Sequence, residues 1–337
     1  MTPPRLRIGV AGAGHFGRYH ALKVAASDRA TLVGVHDLHD ERAKTVGWEA
    51  GAPDLPFDAL LASADALVIA TPARTHHALA AAALRAGKHV LVEKPIASTL
   101  AQADELAALA TERRLVLQVG HLERFSAAHG ALVGRIGTPL YLEATRIAPF
   151  KPRGTDVSVI LDLMIHDLDL VLALVDSPIE SVDAVGAAVA SPHEDIANAR
   201  IRFSSGAVAT ITASRIAART ERRMRIFAQD GYVAVDFANR RLTVIARGAG
   251  TGQPVPGVEG FGMAEVSWEE HDSLAAEHAA FIAAVQDGAP VLVDAPAGRR
   301  ALAAALAVTD SMTKARARMT ASGLIRPGQA GSGGAFG

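Results

Sequence analysis

The sequence predicts an α/β protein: an N-terminal doubly wound parallel sheet, followed by a C-terminal α+β domain with an open mixed or antiparallel sheet. Three observations carry this reading. Through residue 119, short apolar, β-branched runs alternate with helical segments at strand–helix–strand spacing. The first run opens directly onto Gly12-Ala13-Gly14-His15-Phe16-Gly17. Beyond residue 179, strands separated by short Gly and Ser turns replace the strand–helix alternation. The expected domains are residues 1–120 for nucleotide binding, 121–324 for substrate binding and self-association, and a disordered tail over 325–337.

Residues 6–11 form the first strand, and the glycine spacing that follows has its proper setting, with a strand before it and a helix over 16–26 after it. Gly12 makes the tight turn, Gly14 lets backbone approach a pyrophosphate, and Gly17 allows close helix–strand packing. The pyrophosphate then meets the helix N-terminus, where free N–H groups favour negative charge. His15 and Phe16 sit inside this loop as further contact candidates. Residues 31–36 make a second strand ending in Asp37, 20 residues beyond Gly17. An acid there accepts hydrogen bonds from ribose hydroxyls and repels a 2′-phosphate. This is a Rossmann arrangement for a dinucleotide, with NAD expected over NADP.

The alternation continues through a strand at 67–70 ending in Thr71-Pro72, a helix over 75–85 and a strand at 90–92. A helix over 99–113 follows, where Thr99 and Gln102 have capping-box spacing, and then a strand at 115–119 carrying Gln118. After the fourth strand comes Glu93-Lys94-Pro95. Ligands of open α/β sheets bind outside the carboxyl ends of the strands, which places Lys94 where chemistry is expected.

The bulk composition narrows the field. With 337 residues, half of them apolar, the chain can fill one or two cores. A net charge of -1 gives no reason to expect nucleic acid or an anionic membrane as partner. Cysteine is absent, which excludes disulfides, thiolate catalysis and cysteine-ligated metal. No signal peptide is expected from the first residues, and the apolar runs fall short of a membrane span. A cytoplasmic location is the expectation.

Taken together, Gly-x-Gly-x-x-Gly, the acid after strand two, Thr71-Pro72 with His76, and the run from Gly87 to Pro95 resemble the Gfo/Idh/MocA oxidoreductases. The resemblance implies an NAD(P)-dependent enzyme acting on sugars, sugar nucleotides or cyclitols. It places Lys94 against both the nicotinamide ribose and the reacting hydroxyl, and Thr71, Pro72, His76, Glu93 and Gln118 along the cofactor cleft.

In the second half, Gly120 to Phe125 breaks the periodic pattern and marks the crossing between domains. A strand at 138–147 precedes a basic loop with Lys151 and Arg153. The mixed apolar and acidic stretch 156–169 reads as a helix. Asp162 and His166 are four apart, so a helix places both on one face, where the carboxylate can orient the imidazole and leave one ring nitrogen to take a proton. The resemblance turns this helix toward the nicotinamide. Asp-x-x-x-His is also half of a metal site, but no other ligand cluster stands near in sequence, and no metal is expected.

Strands are expected at 199–203, 208–213, 224–227, 232–237 and 242–246, a Gly/Pro-rich loop at 248–262, and helices at 274–285 and 298–315. An open sheet face would be a large surface, so a homodimer or homotetramer through it is the expectation. The runs 120–125 and 149–169 resemble most the branch of UDP-N-acetylglucosamine 3-dehydrogenases, which supply a 3-keto sugar nucleotide for amino-sugar, lipid A type synthesis. Ser126 departs from the asparagine expected after Arg-Phe. The nucleotide's pyrophosphate would meet Arg124, Lys151 and Arg153. Two alternatives stand: oxidation of another sugar, a UDP-hexuronate or a cyclitol, and a catalytically inactive NAD-binding regulator with the same fold.

Overall fold

A computed structural model describes residues 4–135, 137–151, 157–248 and 252–325. The chain divides into two compact units: residues 1–126 with 272–302, and residues 127–271 with 303–337.

The first unit contains β1 (Leu6–Ala11), α1 (His15–Ala25), β2 (Ala30–His36), α2 (Asp40–Ala50), α3 (Phe57–Ser63), β3 (Ala66–Ile69), α4 (Ala73–Arg85), β4 (His89–Glu93), α5 (Leu100–Arg113) and β5 (Leu117–Gly120). The five strands lie in the order β2-β1-β3-β4-β5, and every pair is parallel. The strand order reverses at the β1/β3 boundary, and a ligand crevice is expected outside the carboxyl ends there. All four residues of β3 and the three central residues of β4 are buried, as strands covered on both faces require. Thr99 caps α5, and its reciprocal bond with Gln102 completes the capping box.

The core of this unit differs from the expected domain in one respect: residues 272–302 return to it. Helical residues 273–287 bury Phe281 and Ile282 among Ile8 and Val10 of β1, Ala21 and Val24 of α1, and Val68. Beyond them, Val119 N donates to the Val293 carbonyl at 2.9 Å. The physical reason is apolar burial, since β1 and α1 leave a surface that no element before residue 120 covers.

The second unit holds α6 (Ala127–Leu132), β6 (Pro139–Ile147), α7 (Ile165–Leu174), β7 (Ile179–Ala187), β8 (Ile196–Phe203), β9 (Val208–Ser214), β10 (Glu221–Ala228), β11 (Gly231–Asp236), β12 (Arg241–Arg247), β13 (Gln253–Pro254) and β14 (Phe261–Ser267). Helix α8 (Ser273–Asp287) is the returning segment, and α9 (Ala295–Ala321) runs on from the first unit into the second. Among the described residues, nine strands form one sheet in the order β13-β14-β12-β11-β10-β6-β9-β8-β7. Only β6 with β9 is parallel; the other pairs are antiparallel.

Two details differ from expectation. The stretch read as a loop over 248–262 contains β13, and β14 begins at Phe261 and pairs along the whole of β12. The stretch read as a helix over 156–169 begins with a π-helical turn, Ile160–Met164, before α7. The tail expected over 325–337 lies, from residue 326, outside the described residues.

Helix α7 is fastened to the sheet through a buried ion pair. Arg146 on β6 donates from Nε and Nη2 to the two carboxylate oxygens of Asp167, at 2.8 and 3.0 Å. Helix α9 is tied to β7 where Ala184 N donates to Ser311 Oγ at 2.9 Å. The strands β6, β10, β11 and β12 share a polar surface lined by Glu143, Thr145, Arg223, Arg225 and Asp236, with Phe227 packed between Tyr141 and Tyr232. Among the described residues, no helix is long and apolar enough to cross a membrane.

Candidate functional site

The loop after β1 is built as its glycines require. Gly12 has φ +104°, and a Cβ there would lie 2.5 Å from the Ala70 carbonyl oxygen at the end of β3. A Cβ on Gly17 would lie 1.8 Å from the Gly12 carbonyl oxygen, so α1 can pack on the turn only with glycine at this position. At Gly14 the situation is reversed, with no atom within 4 Å of a Cβ position. Gly14 is also the N-cap of α1 and offers no side-chain hydrogen bond to it. The first-turn N–H groups and their partial positive charge therefore face open space, which suits a pyrophosphate. His15 and Phe16 are exposed beside it, and the His15 ring packs edge-on against Phe16 and Tyr19.

Asp37 stands half-buried just beyond β2 and ties the crevice together. Its Oδ2 accepts the Ala13 N–H at 2.7 Å, and its Oδ1 accepts the His39 N–H at 2.8 Å. Each carboxylate oxygen keeps a second lone pair for a ribose hydroxyl. These features fit NAD: an open cradle at Gly14, an uncapped helix end, and a fixed carboxylate at the β2 terminus.

The turns after β3 and β4 are clamped to each other. His76 is 1% exposed, and its ring nitrogens lie 2.7 Å from the Pro95 carbonyl oxygen and 2.8 Å from that of Thr71. With both nitrogens engaged by backbone, His76 holds the cleft wall. Thr71 accepts a hydrogen bond from the Thr75 hydroxyl at 2.8 Å, and Pro72 caps α4.

Lys94 follows β4 directly and is half-buried, and its backbone N–H donates to Glu93 Oε2 at 3.2 Å. The Glu93 side chain also faces His20, with Nε2 3.0 Å from Oε1. Burial alone would raise the Glu93 carboxyl. The bond and charge of His20, with the charges of Lys94 and His76, outweigh burial and hold it below the usual range. Gln118 is fully buried and donates from Nε2 to the Glu277 carbonyl at 3.2 Å, so its amide secures β5 to α8.

The remaining sequence candidates fall in different places. Arg124 lies in the first unit, on a short 3₁₀ turn, Leu122–Phe125. Lys151, exposed, belongs to the second unit, as do Asp162 on the π-helical turn and His166 on α7; the last two are half-buried. Arg153 lies outside the described residues. Sequence reasoning missed His20, Glu277 and His278, which sit beneath Lys94's strand. Their only local signal is a polar residue on an otherwise apolar helix face.

Two family models cover most of the chain. One, described as an oxidoreductase family with an NAD-binding Rossmann fold, matches residues 6–121. The other, described as a GFO/IDH/MocA C-terminal domain, matches residues 132–234. The chain is 47% identical over 305 residues to the UDP-N-acetylglucosamine 3-dehydrogenase of Acidithiobacillus ferrooxidans, covering 90% of this chain and 96% of that protein. A solved structure of that enzyme from the same organism superposes with a TM-score of 0.86 at 45% identity, covering 93% of this chain and 99% of the other. An inositol 2-dehydrogenase from Rhizobium meliloti is 30% identical over 327 residues, covering 92% of this chain and 96% of that protein. With its parallel nucleotide-binding sheet, its open glycine cradle and its likeness to named dehydrogenases over about nine-tenths of its length, the chain belongs to the Gfo/Idh/MocA family of NAD-dependent oxidoreductases.

Proposed function

We propose that this protein oxidises the 3-hydroxyl of UDP-N-acetylglucosamine to the 3-keto sugar nucleotide. The observation that carries the reading is the 47% identity, along nearly the whole length, to a UDP-N-acetylglucosamine 3-dehydrogenase. The position of Lys94 supports it, since a half-buried amine at the carboxyl end of β4 is suited to a hydroxyl of bound substrate.

Bound NAD supplies the hydride acceptor. The cradle at Gly14 and the α1 terminus hold the pyrophosphate, Asp37 takes the adenosine ribose, and exposed Leu38 beside it offers an apolar face to the adenine. His15, Phe16, Thr71 and Pro72 line this crevice, and His76, Glu93 and Gln118 fix its walls. Lys94 holds the reacting hydroxyl so that the hydrogen on the carbon bearing it can leave as hydride. His166, oriented by Asp162, takes the hydroxyl proton, an acid–base contribution on the order of a hundredfold to ten-thousandfold. Arg124, Lys151 and Arg153 bind the nucleotide's pyrophosphate, the arginines as bidentate forks.

The product, a ketone on an activated amino sugar, suits transamination; we read the reaction as part of amino-sugar synthesis of the lipid A type, in the cytoplasm. The polar and aromatic face of β6, β10, β11 and β12 is the surface through which two or four copies would assemble.

The test combines protein, NAD, UDP-N-acetylglucosamine, glutamate and an aminotransferase that traps 3-keto sugar nucleotides. The trap is needed because equilibrium opposes free ketone. A 3-amino sugar nucleotide is the expected product. The 30% identity to an inositol 2-dehydrogenase favours a second reading, cyclitol oxidation. NAD reduction with a free cyclitol and none with the sugar nucleotide would establish it.

A further inference from the structure

Beneath Lys94, wholly inside the first unit, Glu93 of the cofactor cleft joins a polar cluster whose other members, His20, Glu277 and His278, have no part in cofactor binding or proton abstraction as described above. His20 on α1 is the centre: its Nδ1 is 2.9 Å from His278 Nε2, and its Nε2 is 3.0 Å from Glu93 Oε1. Glu277 enters the same space from α8. A ring nitrogen of His20 and one carboxylate oxygen each of Glu93 and Glu277 all lie within 4.8 Å of one another. His20 and Glu277 have no exposed surface, and His278 is 2% exposed. Among the described residues, neither carboxylate oxygen of Glu277 has a hydrogen-bond partner.

The protons of this cluster can be counted. A neutral His278 carrying its proton on Nε2 donates to His20 Nδ1. His20 then carries its own proton on Nε2 and donates it to Glu93 Oε1. Glu93 also accepts the Lys94 N–H on its other oxygen. Both of its oxygens are therefore served by donors, and Glu93 is the better place for a negative charge. Glu277 has no such donors, and two neighbouring buried carboxylates cannot both ionise without large cost.

We propose that Glu277 is kept as a neutral carboxylic acid beside the charged Glu93, making it a positioning residue whose lack of charge lets Glu93 keep its bonds to His20 and to the Lys94 N–H at the end of β4. The electrostatics agree. Burial, and then the Glu93 charge, push the Glu277 carboxyl well above its ordinary range. Burial, and then His20, keep His278 neutral. The charged and titratable groups facing the cluster are Glu93 from β4 and Lys94 just beyond it, His20 and Lys23 from α1, His76 from α4, and His278 and Asp272 from α8 and its cap. Lys23 and Asp272 neutralise each other at 2.5 Å. Ionising Glu277 would set a second negative charge against Glu93 and drive that side chain, with the backbone of Lys94, from its place.

The functional half of the proposal rests on the reading of Lys94 as the group at the reacting hydroxyl, so the test reads the proton and the positioning separately. Infrared spectra of the full chain at neutral pH, without substrate, should contain a protonated-carboxyl C=O band that Glu277→Gln removes. Glu277→Gln mimics the neutral acid and should keep neutral-pH kcat within about threefold, with the alkaline limb of the pH–kcat profile moved upward or abolished. Glu277→Ala empties the buried space beside Glu93, freeing that side chain to move, and should lower kcat by about tenfold or more, with KM for NAD little changed. Absence of the infrared band overturns the proposal. So does a divalent ion retained at one per chain and lost in Glu277→Gln, because a cation would then neutralise the pair. A band present with an unmoved alkaline limb overturns the positioning role. Near-normal turnover in Lys94→Ala defeats the reading of Lys94 and leaves the infrared result standing.

Discussion

Replacing Asp37 by alanine tests both roles that the structure gives this carboxylate. The change removes the acceptor of the Ala13 N–H at 2.7 Å and of the His39 N–H at 2.8 Å. Hydrogen bonds to a charged group contribute about 1.5–3 kcal/mol each, and a donor left buried without a partner costs about 1–3 kcal/mol. His39 is exposed, so water replaces its lost partner, whereas Ala13 is only 6% exposed and its N–H stays stranded in the turn. The cost therefore falls on the glycine loop, at about 1–3 kcal/mol. With about 1.4 kcal/mol per tenfold, NAD affinity should drop by roughly five- to a hundredfold. The same substitution removes a like charge from the neighbourhood of a 2′-phosphate, a repulsion on the order of 1–4 kcal/mol near a protein surface. The ratio of NADP to NAD dissociation constants should therefore fall by about tenfold or more. Asp37→Asn keeps an acceptor and loses the charge, so it should relax discrimination with the smaller loss of NAD affinity. The assay is titration of each cofactor by the change in protein fluorescence, alongside thermal unfolding of the apo protein. Wild-type protein that binds NADP as tightly as NAD, or Asp37→Ala that changes neither affinity, would refute the reasoning.

Lys94→Ala and His166→Ala should each lower kcat by about a hundredfold or more while NAD binding persists, and Asp162→Asn should cost less; steady-state kinetics with the aminotransferase trap measures all three. Gly14→Ala should leave apo stability within about 0.5 kcal/mol, because nothing stands near its Cβ, yet weaken NAD by tenfold or more. Gly17→Ala should instead destabilise the apo protein by about 1–3 kcal/mol through its clash with the Gly12 carbonyl oxygen, and urea unfolding with NAD titration separates the two. In the second unit, Asp195→Ala should cost about 3–5 kcal/mol, since it strands buried Arg215, whose Nε donates to Asp195 Oδ1 at 2.8 Å. Burial alone would raise the Asp195 carboxyl, but Arg215, the Val189 and Ala190 N–H groups and Ser191 hold it well below the usual range. Its stabilisation is therefore fully present above the ordinary aspartate range and is lost as pH falls from there through the lowered folded-state value, and Asp195→Asn should flatten that acid limb in unfolding midpoints.

What was legible in the sequence was local. The glycine loop, Asp37, the capping box at Thr99 and the strand leading to Lys94 each lie within a few residues of the feature they create. Hydrophobic runs at strand–helix spacing then imply the parallel sheet. The cluster around His20 was illegible because its partners stand 73 and 258 residues away, and each looks alone like an ordinary polar residue on a helix. The place of Asp37 after β2 marks it, from sequence alone, as a ribose acceptor. Its bond to Ala13 depends on how the β1 turn folds back, which spacing does not encode. Residues 253–262 carry too many glycines and prolines to read as strand, and the pairing of β13 with β14 and of β14 with β12 is a tertiary effect. The π-helical turn before α7 likewise has no residue signature, although it sets the register in which Asp162 and His166 follow each other.

The return of α8 to the first unit bears on how the chain emerges from the ribosome. Residues up to 126 cannot close their own core, because Phe281 and Ile282 must arrive to fill it, and Glu277 and His278 must arrive to complete the charges under β4. The nucleotide-binding half therefore waits, partly formed, while the intervening sheet is synthesised and folds as an insertion. A gene cut after residue 120, the boundary the motifs suggest, would yield an aggregation-prone fragment; a portable version of this half needs residues 272–302 rejoined through a short linker.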